Sequence, residues 1–363
     1  MIFTTAILKE VKIMNNQHKS FSFDRWWINM NRIFSHRKGY KRIANEDKAV
    51  HPFRVIVYKE ISDQVRSWRF IILIAIIALT CFGSLYTALS NFSKAVKPND
   101  PEGAFFFLKL FTLSDGSLPP FFVFISFLGP LLGISLGFDA INSEQNRGTL
   151  CRVLSQPIHR DYLINAKFVA SLIVISVMLF VLGFLVMGIG LIEIGIPPTA
   201  EEFLRIVSFI LLGIVYVAFW LNLSILLSVQ FRQPATSALS GIAIWLFLTI
   251  FYPMIVSLVS KVLAPSPMAT LQQVAHYENL MNGLIWILPN QLFSDATTTL
   301  LMPSIRSLGP LTMEQQYGAL PGALPLSQSL LLVWPQVTSL AASTILCFVL
   351  SYVSFMRREI RSR

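Results

Sequence analysis

The sequence predicts an all-α membrane protein with six transmembrane helices, and three observations carry that prediction. Hydrophobic residues make up 54% of the 363-residue chain and charged residues only 13%, too apolar a balance for the surface of a soluble protein of this size. Apolar runs of the length needed to cross a hydrocarbon core, about 20 helical residues, occur six times. Lys and Arg are spread unevenly over the segments that join those runs.

The runs cover residues 70–90, 118–138, 164–191, 203–229, 235–260 and 329–356. With the N-terminus inside, 23 of the 29 Lys and Arg fall on the inner side and 6 on the outer. The positive-inside rule therefore puts both termini in the cytoplasm and makes the protein a multi-pass component of the cytoplasmic membrane. The net charge of +10 is then a topology signal. No nucleic-acid recognition motif and no interleaving of Arg with aromatic residues accompanies it, so nucleic acid is not an expected partner.

Residues 1–51 form a basic N-terminal extension with scattered aromatics, Phe21, Trp26 and Trp27. Anionic lipid headgroups would attract it by about 1 kcal/mol per nearby Lys or Arg. Lys9 and Glu10 interrupt its first apolar residues, so no signal peptide is read there. Residues 52–260 carry the first five spans. At their start Val55, Tyr58, Ile61, Val65 and Trp68 recur at helical spacing, as in an amphipathic helix lying in the membrane interface.

Between the first two spans, residues 103–111 are apolar but too short to cross, which predicts a re-entrant or interfacial piece with Lys109 reaching the headgroups. The second span holds Gly129, Gly133 and Gly137 at four-residue spacing, a smooth stripe that admits another helix closely. Pro130 beside Gly129 offers a hinge as the alternative. The fourth span is the most polar. Asn222 and Ser228 there are candidate pathway residues, with interhelical hydrogen bonding as the structural alternative. Residues 261–328 form an extracytoplasmic segment broken by prolines, with amphipathic helices expected over 268–288 and 290–301, packed on the spans. Residues 329–363 supply the sixth span and a basic tail.

No catalytic constellation emerges. The Gly-x-x-x-x-Gly-Lys-Ser/Thr phosphate cradle is absent. His18, His36, His51, His159 and His276 are scattered, and Cys81, Cys151 and Cys347 lack metal-ligand spacing, so no metal site is expected. Met268, Met281, Met302 and Met313 read as adaptable packing, with soft-metal contact as the weaker alternative. Spans nearly free of charge suit a lipophilic or amphipathic cargo better than an ion or proton relay.

The segment between the second and third spans is the most informative. Ile141, Leu150, Val153 and Leu154 offer an apolar face beside Asp139, Glu144, Arg147 and Arg152, with Gly148 as a break and Pro157 as a stop. On periodicity alone, a solvated loop fits as well as a partner-binding helix. The pattern Asp139-x-x-x-x-Glu144-x-x-x-Gly148-Thr149-Leu150, then Leu154-Ser-x-Pro157-Ile-x-Arg160 and a Lys at 167, resembles the coupling region of type-2 ABC transporter permeases. It is most similar to the branch containing permeases of nitrous oxide reductase maturation and gliding motility.

That resemblance implies a type-2 ABC exporter permease fold with an elbow helix before the first span and a cytoplasmic coupling helix at about 140–156. It implies partner ATPase subunits that bind ATP and Mg²⁺, a second permease subunit, identical or homologous, and surrounding membrane lipid. This chain itself would bind no cofactor and would not be an enzyme. The coupling set would be Asp139, Glu144, Arg147, Gly148, Thr149, Leu150, Leu154, Pro157 and Arg160. Among these Glu144, Gly148 and Thr149 would seat the helix in the ATPase groove, while Arg147 and Arg160, with Arg152, supply charge. The expected function is ATP-driven export. The rival expectations are a complex passing force or signal to an extracytoplasmic assembly, and a membrane-embedded lipid-modifying enzyme. The last predicts a cluster of His, Asp or Glu at one membrane surface, which the sequence lacks.

Overall fold

The computed structural model describes residues 51–95, 105–114, 118–149, 159–195, 197–265, 270–303 and 324–357, and every regular element among them is helical. The extension over 1–50, together with Leu150, Arg152, Leu154 and Pro157, lies outside the described residues. The helices in chain order are α1 (Pro52–Val65), α2 (Trp68–Ala95), α3 (Phe106–Thr112), α4 (Phe121–Gly137), α5 (Asn142–Asn146) and α6 (Arg160–Ile194). They continue with α7 (Ala200–Gln230), α8 (Pro234–Leu246), α9 (Tyr252–Leu263), α10 (Leu271–Ile285), α11 (Pro289–Leu301) and α12 (Leu326–Arg357).

Six of these stretches are long and apolar enough to cross a membrane: α2, α4, α6, α7, the α8–α9 pair and α12. Helix is the only open-chain solution there, because it satisfies each backbone N–H and C=O within one segment. Most of the helices outrun the apolar runs at polar caps that hydropathy does not register. Thr199 and Glu202 exchange side-chain and backbone hydrogen bonds to open α7 as a capping box. Gly195, at φ 74°, closes α6 in the left-handed region. The fifth span is not one regular helix: a π-helical turn over Phe247–Phe251 joins α8 to α9 just before Pro253, which has no N–H to continue the ladder.

α7 is the most buried span and packs on α4, α6, α11 and α12, whereas α8–α9 is the least buried. The α4–α7 contact rests on the glycine stripe. A Cβ on Gly133 would lie 2.8 Å from the Val217 carbonyl oxygen and 2.9 Å from the Leu221 nitrogen, and one on Gly137 would lie 2.9 Å from the Leu221 oxygen. The two backbones touch, and Ser224 Oγ donates to the Ile134 carbonyl across the seam at 3.1 Å.

Residues 138–149 and 159–160 lie at one end of the bundle, the loop end, and α3, α10 and α11 at the other, the cap end. α3 is not an interfacial piece. It is wedged among α2, α4, α6, α7 and α11, with Lys109 only 5% exposed, so the lysine does not reach outward. Glu202 Oε1 accepts the Phe107 N–H at 2.9 Å, and Phe111, Phe121 and Phe209 pack edge to face around it. α11 is equally buried, Phe293 stacking on Tyr216 at 4.5 Å, while α10 lies mostly exposed against α9.

On α1, Val55, Tyr58, Val65 and Trp68 of the expected apolar face are exposed, while Ile61 of that face is partly buried against the bundle. A second face, Phe53, Ile56, Val57 and Glu60, packs on Ala166 and Ala170 of α6. An interfacial helix has two apolar environments to satisfy, lipid and protein, and a single stripe in sequence does not say which takes it.

Candidate functional site

At the loop end four separate stretches of chain meet. α4 stops at Gly137, and Phe138 to Ile141 turn the chain into α5, five residues of Asn142–Asn146. The turn is held from α7: Ser228 Oγ accepts both the Ile141 N–H (3.0 Å) and the Asn142 N–H (3.3 Å). Asn142 Nδ2 donates back to the Phe138 carbonyl, and Asn146 Nδ2 to the Arg232 carbonyl, each at 3.0 to 3.1 Å. The helix expected over about 140–156 is interrupted at Arg147 and Gly148, with Thr149 helical again, and residues 150–156 lie outside the described residues. Gly148 adopts φ 68°, a left-handed conformation that glycine takes without a Cβ penalty and that breaks the helical path. Asn146, Arg147 and Gly148 form the exposed tip, and Thr149 Oγ1 donates to the Glu144 carbonyl at 3.2 Å.

Glu144 faces inward instead of joining that tip. Its Oε1 lies 2.8 Å from Lys167 Nζ of α6, and the same ammonium lies 3.0 Å from Glu60 Oε2 of α1. Lys59 closes the group, 2.9 Å from Glu60 Oε1 and 3.7 Å from Glu144 Oε1. Lys167, Glu60 and Glu144 side chains are 5%, 9% and 14% exposed, against 58% for Lys59. One buried cation thus serves two carboxylates, and a half-exposed lysine balances the sum to neutrality. Glu144 Oε2 is buried with no hydrogen-bond partner among the described residues.

The pairing decides the protonation state of the α1 groups. Burial alone would push the Glu60 carboxyl up, but the Lys167 charge and the Lys59 hydrogen bond outweigh it and hold the pKa below its ordinary value. Burial would lower Lys59, yet Glu60, Glu144 and Asp63 together raise it. Both groups are held in their charged forms.

Three further side chains tie the same end together. Arg69, at the start of α2, pairs with Asp139 at 2.6 Å and lies 4.9 Å over the Phe138 ring. Gln64 Nε2 of α1 donates to Ser171 Oγ of α6 at 2.6 Å. Arg160, opening α6, sits 5.3 Å over the Phe355 ring at the end of α12.

The sequence-selected residues therefore divide. Asp139, Glu144 and Arg160 contact this chain's own helices, while Arg147 and Gly148 face outward and Thr149 is half-buried. Leu150, Leu154 and Pro157 are outside the described residues. Gly129, Gly133 and Gly137 line the α4–α7 seam. Asn222 is fully buried and donates weakly to the Thr344 carbonyl of α12 at 3.4 Å, and Ser228 is the buried clasp on the turn. Sequence reasoning passed over Glu60, Lys59 and Arg69, and noted Lys167 only as the opening of a span. A lysine inside an apolar run was the available signal. The chemistry of the site is ion pairing and hydrogen bonding between separate helices.

No curated protein matches the chain. Residues 54–360, from within α1 to just past the end of α12, match the family described as ABC-2 family transporter protein. Members are membrane subunits that work with an ABC ATPase carried on a separate subunit. The chain belongs to this ABC-2 transporter family and is a multi-pass membrane subunit of an ABC transporter.

Proposed function

We propose that the chain is the permease of a type-2 ABC exporter in the cytoplasmic membrane, with both termini in the cytoplasm. Two permeases, identical or homologous, enclose the pathway, and the partner ATPase binds ATP and Mg²⁺. The ATPase docks on the tip Asn146–Arg147–Gly148 and its closure pushes α5. Ser228, Lys167 and Arg69 then pass the displacement to α7, to α6 with α1, and to α2. The carrying observation is the contrast within one short turn: its tip is exposed while its flanks are pinned to those helices. The cargo is lipophilic or amphipathic, a reading supported by spans whose buried charged groups among the described residues, Lys167, Glu202 and Arg205, sit near helix ends in ion pairs or a capping box.

The test is co-purification with the ATPase, followed by ATP hydrolysis in proteoliposomes. Arg147→Glu and Gly148→Trp should each weaken assembly or abolish stimulated hydrolysis. Wild-type assembly and hydrolysis in both variants would remove the tip from the mechanism. A second reading, transmission of force or signal to an extracytoplasmic assembly, draws on α10, which lies exposed beside a cleft bordered by Leu263, Gln273, His276 and Tyr277. Hydrolysis that responds to no lipid or amphipath but to an external partner would select it.

A further inference from the structure

The α1 helix is joined to the bundle in an unusual way. A break at Arg66 and Ser67 separates it from α2, so it is not a rigid continuation of the first span. Its packing is on α6, where Ala166 and Ala170 let Val57 approach. The 138–149 turn likewise belongs to α4 and α7 by its backbone contacts. Yet Glu60 of α1 and Glu144 of the turn, 84 positions apart in sequence, meet on one ammonium. Lys167 Nζ is 3.0 Å from Glu60 of the first and 2.8 Å from Glu144 of the second.

Two carboxylates buried side by side repel, and each loses hydration. They tolerate one another because the lysine lies between them. The ammonium is a compact charge with rotatable donors rather than a planar fork, so it holds both partners without fixing their mutual angle. Lys59 stands 3.7 Å from Glu144, near enough to take over that carboxylate if the turn shifts. Glu144 keeps a buried oxygen with no partner among the described residues, so the pairing is not saturated.

We propose that Lys167 is a positioning residue, a charge pivot on α6 that makes α1 and the 138–149 turn move as one body. The inference rests on the reading that the ATPase pushes this turn. It assigns to α1 the role of carrying that push sideways along the membrane surface. Charge, not volume, is the operative property. Removing Lys167 alone leaves two opposed carboxylates with only the half-exposed Lys59 beside them, whereas removing all three buried charges leaves an uncharged buried contact of similar size.

The test measures the distance between spin labels at Val55 of α1 and Arg147 of the turn, in full-length protein with Cys151→Ser, reconstituted in lipid nanodiscs without ATPase. Wild type should give one narrow distance. Lys167→Met should lose it, Lys167→Arg should keep it, and the triple variant Glu60→Gln, Glu144→Gln, Lys167→Met should regain it. A narrow wild-type distance in Lys167→Met, or a triple variant as broad as Lys167→Met, overturns the pivot. A second arm uses the ATPase complex with a non-hydrolysable ATP analogue and a third label at Met356 of α12, with the turn label moved to Gln145. The distances from α1 and from the turn to α12 should shift together while the α1–turn distance stays constant, and independent shifts overturn the proposal. Failure of the docking reading shows separately, as wild-type assembly in Arg147→Glu, and leaves the first arm standing.

Discussion

Two buried cations anchor the two ends of this bundle, and they are built oppositely. At the cap end Arg205 of α7 is fully buried. Its guanidinium donates to the Leu300 carbonyl (3.0 Å), the Leu324 carbonyl, Ser329 Oγ (3.2 Å) and Glu201 Oε1 (2.8 Å), and it lies 5.6 Å from the Phe105 ring. Its partners are largely neutral backbone and hydroxyl groups on α11, on the entry to α12 and on α12 itself. A planar fork meeting fixed carbonyls admits one arrangement. At the loop end Lys167 meets two carboxylates on side chains that can swing, with Lys59 as an alternative donor. The difference teaches which end is a frame and which is a joint: directional, saturated bonding locks the cap, and exchangeable charge pairing leaves the loop end free to rearrange.

The largest expected effect breaks the frame. Arg205→Met strands two carbonyls and a hydroxyl in the cap, and loss of one member of a buried ionic network costs about 3–5 kcal/mol. Thermal unfolding in detergent should fall steeply, and Arg205→Lys should recover only part, because an ammonium cannot reach all four oxygens. Lys167→Met should instead open the loop end locally, with a smaller shift in global unfolding. If the two variants lowered the unfolding temperature equally, the distinction between frame and joint would collapse.

The α4–α7 seam connects the ends, and its stiffness decides whether displacement at the loop end is felt farther along. Gly133→Ala drives a Cβ to 2.8 Å from the Val217 carbonyl, so the helices must part. Overpacking of this kind costs about 1–3 kcal/mol. Gly188 of α6 has nothing within 4 Å of the same atom, so Gly188→Ala should be neutral or slightly stabilising. The pair of variants, compared by thermal shift, separates steric cost from helix propensity.

Ser228→Ala probes the joint's mooring to α7. It removes the one hydroxyl that accepts the Ile141 and Asn142 N–H groups, and buried donors left unpaired cost about 1–3 kcal/mol. Hydrogen exchange should accelerate at residues 141–146 and remain unchanged in α11. Acceleration at both would mean that the ends are not independent. Arg69→Ala should alter stability less, since the Arg69 side chain is 54% exposed and pairs of that kind contribute about 0–1 kcal/mol.

What the sequence made legible follows from where each signal resides. Lipid imposes continuous apolar runs, so the six spans can be read directly, and the Gly129–Gly133–Gly137 stripe lies within a single helix. Ion pairs bringing distant segments together leave no such mark. Glu60 and Lys167 stand 107 positions apart, and nothing near either names the other. Arg205 stands two residues inside the apolar run over 203–229, and only the convergence of α11 and α12 on it makes it a buried frame. Lys109 read as a headgroup contact because a short apolar helix has two possible homes, and packing chose the protein interior.

The finest distinction between frame and joint is electrostatic, and pH should resolve it. Glu60 faces Lys59 on its own helix, which also pairs with Asp63, and shares Lys167 of α6 with Glu144 of the turn. Its folded pKa lies below the ordinary value of 4.5, so its stabilising contribution is complete above that value and is lost as pH falls through the depressed one. Lys59, raised above 10.5, contributes fully below that value and loses its contribution only as pH rises through the raised one. The joint should therefore be flat between roughly these limits and loosen on acidification below about 4.5. The α1–turn distance, followed by the same spin labels, should broaden there in wild type, and Glu60→Gln should lose most of the acid response. Arg205 is held chiefly by carbonyls that do not titrate, so a pair of labels on α11 and α12 should report no change over the same range. Equal acid broadening at both ends would show that the contrast between them is one of burial alone.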